Sequence, residues 1–355
     1  MKKILITGAG GAPGINFTRS LRAAREKFHL IGIDCDKYNL QRAETDERLL
    51  GPRADDEDFL AFLKCIIGNR SPDFLHSQSD EEIAVLVAHA GGIGVKTFLP
   101  SEESVRLCQD KFLSYERWTS AGLRVPSTRL LCGEEDLDAA FGELGSPLWL
   151  RETMGGAGRG ALRVDTREEA ALWIEVRRGW GRFTAAEYLS PHSITWQSIW
   201  AEGELVVAQG RKRLYWEMGN RAPSGVTGVT GTGVTVSDPA LDEIAQKAIL
   251  AIDRAPHGIW SVDLTYDVRG VPNPTEINIG RFFTTHYFFT KAGLNMPLIL
   301  LKLAFGEEVP PLPRRINPLP HGLAWVRGMD IEPVLCTVEE IESSAREYEA
   351  WRRGR

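Results

Sequence analysis

The sequence predicts a small parallel α/β domain at the N-terminus followed by a larger α+β region. Three observations carry this. A strand, glycine turn, helix and second strand fill the first 34 residues. Beyond about residue 125 the chain is dominated by short strands of alternating character. Within that region SVDLTYDVRGVPNPTEIN, residues 261–278, reads as an antiparallel hairpin.

Taken in order, Lys3–Thr7 is an apolar run suited to a buried strand, Gly8–Gly14 a glycine turn, Ile15–Lys27 a helix and Leu30–Asp34 a second strand. Asp73–His76 and Thr97–Leu99 read as further short strands around a helix at Asp80–Ala90, so residues 1–100 form one α/β domain. Ser101 followed by Glu102, Glu103 and Ser104 has the form of a helix cap, and the helical pattern runs on through Lys111 to Ser120 until Gly122 and Pro126 end it. Strands follow at Leu148–Glu152, Ala161–Val164, Thr184–Leu189, Ile194–Trp200 and Leu205–Gln209, broken by helices at Thr166–Arg178 and Ala240–Ile252. The repetitive GVTGVTGTGVT at Gly225–Thr235 reads as a mobile hairpin or loop. Five prolines over Pro310–Pro320 mark a surface crossing, because Gly322–Leu335 still reads as strand, and Val338–Arg355 reads as a charged helix.

Composition narrows the function classes. The chain has 355 residues, 43% hydrophobic content and a formal charge of -6, with basic residues scattered along it. That supports real cores and argues against nucleic acid held by bulk electrostatics; small molecules are the expected partners. Five cysteines (Cys35, Cys65, Cys108, Cys132, Cys336) form no CxxC pair, which points to idle thiols in a reducing cytoplasm. No window approaches the roughly 18–20 apolar residues of a membrane helix, and the best stretch, Leu298–Phe305, contains Lys302. MKKILITGAGG leads straight into a glycine loop and reads as a strand, not a signal peptide.

The hairpin carries the sharpest chemistry. Its turn, Arg269-Gly270, lies midway between Asp263 and Glu276, so antiparallel pairing sets these carboxylates opposite each other. Asn278 lies two beyond Glu276 and therefore on the same face. Two carboxylates and an amide are hard oxygen donors of the kind that suit Mg²⁺ on nucleotide phosphates; the same residues also suit a solvated turn.

Two glycine loops invite a phosphate reading. Gly8–Gly14, with Asp34 about 20 residues on, nearly spells a dinucleotide fingerprint. Tyr287 and Lys291 even supply the tyrosine–lysine spacing of a nicotinamide-dependent oxidoreductase, but they lie past the strand-rich region and outside the loop's own domain. The second loop, Arg151–Gly160, sits between two strands, so it is a hairpin tip whose bare N–H groups at Gly155, Gly156 and Gly158 can close over phosphates, with Arg151 as counter-charge.

Asp110-Lys111, Arg151 with its glycine loop, Glu187-Tyr188-Leu189, Arg211-Lys212-Arg213, Asp263 and Glu276-Ile277-Asn278, in this order and spacing, resemble the ATP-grasp superfamily, on the carbamoyl-phosphate synthetase large-subunit and biotin carboxylase side. The resemblance spans most of the chain. It implies a Rossmann-like pre-ATP-grasp domain over 1–100, a two-lobed ATP-grasp domain over 101–337 with a mobile lobe at about 115–185, and a C-terminal helix over 338–355. It makes Lys111 and Arg151 phosphate ligands, the latter where many relatives have lysine. Backbone groups of Glu187 and Leu189, beside Tyr188, would read adenine, while the ribose contact stays open among Ser190, His192 and Ser193. Asp263, Glu276 and Asn278 become ligands of Mg²⁺ or Mn²⁺. Arg213 and Arg281 become the catalytic cations, although Arg281 stands five residues after Glu276 where the family has four.

The implied activity is an ATP-dependent carboxylate–amine ligase forming a C–N bond through an acyl phosphate. A carbamate- or bicarbonate-activating, carbamoyl-phosphate synthetase-like reaction is the near alternative, and a nucleotide-binding regulatory module the distant one. Substrate is expected near Gly10, Gly11, Asp80 and His286, in a protein able to form a homodimer and touching neither nucleic acid nor membrane.

Overall fold

Three β-sheets organise the chain in the computed structural model, which describes residues 1–156, 158–328 and 334–339. The first is parallel, in the order β3-β2-β1-β4, and is built from β1 (Lys2–Thr7), α1 (Ala12–Arg22), β2 (Phe28–Asp34), α2 (Lys37–Leu40), β3 (Glu47–Leu50), α3 (Phe59–Arg70), β4 (Phe74–Ser77) and α4 (Asp80–Ala88). Its inner strands β1 and β2 carry long buried runs because helices cover both faces. Ile4, Ile6 and Phe74 pack with Phe17 and Leu21 of α1, while Leu5, Ile31 and Leu75 pack with Leu63 and Leu86. The fourth strand is not the expected Thr97–Leu99, which forms no strand; the residue before it, Lys96, makes an isolated bridge to Phe74. The fourth strand is β3, too short and too charged to read as a strand.

Next come α5 (Glu102–Gln109) and α6 (Lys111–Ser120). The single helix expected here breaks at Asp110, whose extended backbone (φ -94°, ψ 111°) ends α5 and whose carboxylate caps α6. Beyond it β5 (Thr128–Leu131), α7 (Glu134–Leu144), β6 (Leu148–Glu152), β7 (Leu162–Val164), α8 (Arg167–Val176) and β8 (Phe183–Glu187) make a small lobe. Its antiparallel sheet runs β5-β8-β6-β7. The lobe has its own core of Leu131, Leu137, Leu148, Leu150, Ile174 and Phe183.

The large antiparallel sheet runs β13-β12-β9-β10-β11-β14-β15. It comprises β9 (Ser193–Ala201), β10 (Glu204–Trp216), β11 (Thr230–Val236), β12 (Gly258–Tyr266), β13 (Pro272–Ile279), β14 (Leu323–Val326) and β15 (Val334–Thr337), with α9 (Pro239–Ile252), α10 (Tyr287–Lys291) and α11 (Met296–Ala304). Alternation divides its two faces. Trp196, Trp260, Val262 and Ile277 pack on α9. On the other face Ile199, Val207 and Ile259 join the core containing α10, α11 and Phe17, and the remainder is polar.

Two expectations change here. Most of the supposed mobile Gly225–Thr235 segment is the buried strand β11, paired to both β10 and β14. Its glycines answer to packing: a Cβ on Gly231 would sit 2.1 Å from the Tyr215 ring, and one on Gly233 2.8 Å from Arg211 Cδ. The single strand expected over Gly322–Leu335 divides into β14 and β15, paired as an antiparallel hairpin. Residues 340–355 of the expected C-terminal helix lie outside the described residues.

Candidate active site

The hairpin β12–β13 sets Asp263 opposite Glu276 and Ser261 opposite Asn278. It does so by a device the sequence does not show. The tight turn closes with Gly270 N–H donating to Asp267 O, and near it Leu264 pairs with Pro274. That register, continued, would bring Thr275 opposite Asp263. A bulge between Asp263 and Leu264 absorbs Thr275 and restores Glu276 to the pairing. Asn278 Nδ2 donates to Asp263 Oδ2 at 3.2 Å. Among the described residues no three His, Cys, Asp or Glu side chains gather as a metal-binding group. The donor set here is two carboxylates and one amide, which fits Mg²⁺ sharing its remaining positions with phosphate and water.

Cations converge on these oxygens from three elements. Lys111, the first residue of α6, is buried, donates Nζ to Gly155 O at 2.5 Å and lies 3.8 Å from Glu276 Oε1. Arg151 on β6 donates Nη2 to Thr275 O at 2.9 Å, leaving its buried Nε without a partner. Burial lowers the Arg151 pKa against the attraction of Glu276. Arg213 on β10 is 3.9 Å from Asp263 Oδ1, lies over the Trp216 ring at 3.5 Å and has its pKa lowered by burial against the pull of Asp263 and Glu276. Three cations around two carboxylates leave the site electropositive and suited to polyanionic phosphate.

The loop after β6 supplies the bare backbone. Gly155 and Gly158 both have positive φ (92° and 68°). A Cβ on Gly156 would approach Asp80 Oδ2 at 4.0 Å, and one on Gly158 would collide with Val226 O at 2.5 Å. At the edge of the small lobe, Glu187 ends β8. Its N–H donates to Ser127 O and its carboxylate accepts from Ser127 N–H at 2.9 Å. The exposed Tyr188 ring follows, flanked by Trp149 and Arg163, with Leu189 half-buried behind it.

A left-handed Gly280 (φ 77°) turns the chain just after β13, ahead of Arg281. Burial lowers its pKa, but Asp80, with Glu276 and Asp263 behind it, raises it on balance: Nε and Nη2 grip the two Asp80 oxygens at 2.5 and 2.6 Å. Nη2 also reaches Asn278 Oδ1 at 2.7 Å. Asp80, at the start of α4, thereby ties the first sheet to the hairpin.

Two expected substrate contacts, Gly10 and His286, are packed instead. Gly10 is glycine because a Cβ there would lie 1.9 Å from Asn39 O, and its N–H donates to Asp34 Oδ2. Asp34 therefore fastens its own loop instead of facing a ribose. Gly11 is the extended N-cap position of α1. His286 is 1% exposed, with Nδ1 bonded to Phe283 O and its ring 4.9 Å from Phe282, so it is packed away from any substrate.

Reading the sequence missed Thr195 and Thr230, and held Ser193 as a ribose candidate where the structure sets it against Arg213. Thr195 Oγ1 donates to Asp263 Oδ1 at 2.5 Å, and Ser193 and Thr230 accept from Arg213 at 2.5 and 3.0 Å. The signal was present in Ser193-Ile-Thr195-Trp-Gln197, a strand with polar residues on the face its neighbours bury.

No family model matches the chain. It is 28% identical over 205 residues to a D-alanine–D-alanine ligase of Nitrosospira multiformis, covering 56% of this chain and 66% of that one, just under two thirds of its length. A biotin carboxylase of Campylobacter jejuni, solved as a β,γ-ATP complex, superposes over 92% of this chain and 74% of its own with a TM-score of 0.71 and 19% identity. A carboxyaminoimidazole ribonucleotide synthase of Aspergillus clavatus, solved with ATP, covers 92% and 81% with a TM-score of 0.70 and 18% identity. The chain has the ATP-grasp fold.

Proposed function

We propose that this protein is an ATP- and Mg²⁺-dependent carboxylate–amine ligase that forms a C–N bond and releases ADP and phosphate. The observation that carries the reading is the convergence of Lys111, Arg151, Arg213 and Arg281 on the Asp263–Glu276–Asn278 face. Lys111, Arg151 and the N–H groups of Gly155, Gly156 and Gly158 hold the phosphates, and the Glu187 carbonyl, the Leu189 backbone and the Tyr188 region hold adenine. Asp263, Glu276 and Asn278 would hold Mg²⁺, or Mn²⁺ in its place, which neutralises charge on the triphosphate when bound. Arg213 and Arg281 offset the charge that develops as a substrate carboxylate attacks the γ-phosphorus. As the carboxylate O–P bond forms, the bond from the γ-phosphorus to the β,γ-bridging oxygen breaks and its electron pair leaves on ADP; an amine then attacks the acyl carbon, phosphate leaves with the C–O electron pair, and the nitrogen gives up its proton to solvent. The names of a D-alanine–D-alanine ligase and a carboxyaminoimidazole ribonucleotide synthase among the similar proteins support small-molecule carboxylate and amine substrates for this step. A cytoplasmic setting and a homodimer belong to the same reading.

The test is ADP release with a broad panel of carboxylate and amine pairs. Glu276→Gln is expected to abolish turnover while ATP binding, followed by tryptophan fluorescence, persists. ATP binding with no pair eliciting ADP would rule out ligation and favour a regulatory nucleotide module.

A further inference from the structure

Arg211 is a fully buried cation that the proposed chemistry leaves without a task. It is 2% exposed, and among the described residues its side-chain hydrogen bonds run to hydroxyls: Nη1 donates to Thr230 Oγ1 at 2.6 Å and Thr285 Oγ1 at 3.3 Å, and Nη2 donates to Thr195 Oγ1 at 2.6 Å. Burial, with Arg213 beside it, pushes its pKa down to about 9 against the attraction of Asp263. The large sheet has made room for this side chain, since β11 carries no Cβ at Gly233 where one would sit 2.8 Å from Arg211 Cδ. A buried guanidinium without a carboxylate of its own is costly, and it lies in a telling place.

The registers of four adjacent strands put Arg211 opposite Thr195, Thr195 opposite Asp263 and Asp263 opposite Glu276, one row across β10, β9, β12 and β13. A hydroxyl has one proton to give. Because Arg211 Nη2 donates into Thr195 Oγ1, that proton is turned to Asp263 Oδ1, 2.5 Å away. The second Asp263 oxygen accepts from Asn278. We propose that Arg211 is a positioning residue for the nucleotide–metal centre, acting through Thr195 to hold the Asp263 carboxylate in the orientation that ligates. The inference rests on the metal reading of the hairpin and adds to it the part of the sheet that sets its geometry. Groups behind a ligand that fix its direction are worth about 10- to 100-fold in metal affinity.

The experiment uses the full chain, a non-hydrolysable ATP analogue and Mn²⁺, with free Mn²⁺ read by electron paramagnetic resonance and folding checked by thermal melting. T195V, which keeps the shape and removes the hydroxyl, is expected to weaken Mn²⁺ binding about 10- to 100-fold while metal-free nucleotide binding stays unchanged. T195S is expected to restore the metal, and R211M to behave as T195V. Wild-type Mn²⁺ affinity in a folded T195V protein overturns the proposal. D263N separates this from its foundation. If D263N loses Mn²⁺ and T195V keeps it, only the Arg211–Thr195 link is wrong. If D263N also binds Mn²⁺ as wild type does, the hairpin is no metal site.

Discussion

Gly10 and Gly158 look alike in the sequence, each inside a glycine-rich loop, yet they are glycine for different reasons. Gly10 is pressed against the Asn39 carbonyl, inside the first domain's permanent packing. Gly158 has φ 68° and faces the Val226 carbonyl across a contact between two loops, one that can part without unfolding either lobe. G10A should therefore lower the melting temperature clearly, because a Cβ has nowhere to go. G158A should leave it nearly unchanged and raise KM for ATP instead, since left-handed backbone costs alanine about 1–2 kcal/mol and the loop would sit open. Melting curves and ATP kinetics on both variants decide it. A KM effect from G10A with an intact melting temperature would return the first loop to the substrate site.

Asp110 shows how one residue at an element boundary positions a functional side chain. Its carboxylate accepts from Phe112 N–H at 2.9 Å and Leu113 N–H at 3.2 Å, which starts α6 at Lys111. With α5 and α6 fused into one straight helix, Lys111 would not be delivered to Gly155. D110A is expected to cost about 0.5–2 kcal/mol in urea denaturation and to raise KM for ATP, with D110N restoring both. A stability loss without a KM change would show that the cap and the Lys111 position are independent. Element by element, local pattern was legible where it was strong. β6 was read to the residue, and the Asp263–Glu276 pairing followed from two acids about a turn. What escaped was anything set by distant neighbours. The Thr275 bulge depends on pairing energies along both strands. The glycines of β11 read as mobility because Tyr215 and Arg211, which fill the space beside them, are apparent only once the strands are paired. His286 looked available because its covering rings, Phe17 and Phe282, lie about 270 and 4 residues away in the chain.

No single segment of the site is diagnostic because its parts come from every body of the fold: Asp80 from the first sheet's helix α4, Lys111 from the connecting helix, Arg151 from the small lobe and the oxygens from the large sheet. Joining the first domain to that sheet is an aromatic cluster in which His76 of β4 stacks on Phe17 at 4.2 Å and lies 6.0 Å from Phe282, which in turn packs on His286. Both histidines are buried with Nε2 unpartnered. Burial lowers their pKa values from 6.5 to about 3 for His76, helped by His286, and to about 4 for His286, against a hydrogen bond to Phe283 O. The sign follows directly. Above pH 6.5 both states are neutral there and the pair adds no pH dependence. As pH falls from about 6.5 toward 4 the unfolded chain takes up protons that the native state refuses, so stability drops by on the order of 1 kcal/mol per pH unit for each histidine. Glu82 and Asp242, whose pKa values are raised by burial, act in the opposite sense and make the net slope shallower. Denaturation midpoints should therefore fall between pH 7 and pH 5, and the joint His76→Phe, His286→Phe variant should lose that slope while keeping ring-on-ring packing. Because the cluster lies beside the Asp80–Arg281 clamp, ATP binding should weaken over the same interval in the wild type and less in the variant. Equal slopes in the two proteins would place the acid sensitivity elsewhere and leave the cluster a purely apolar joint.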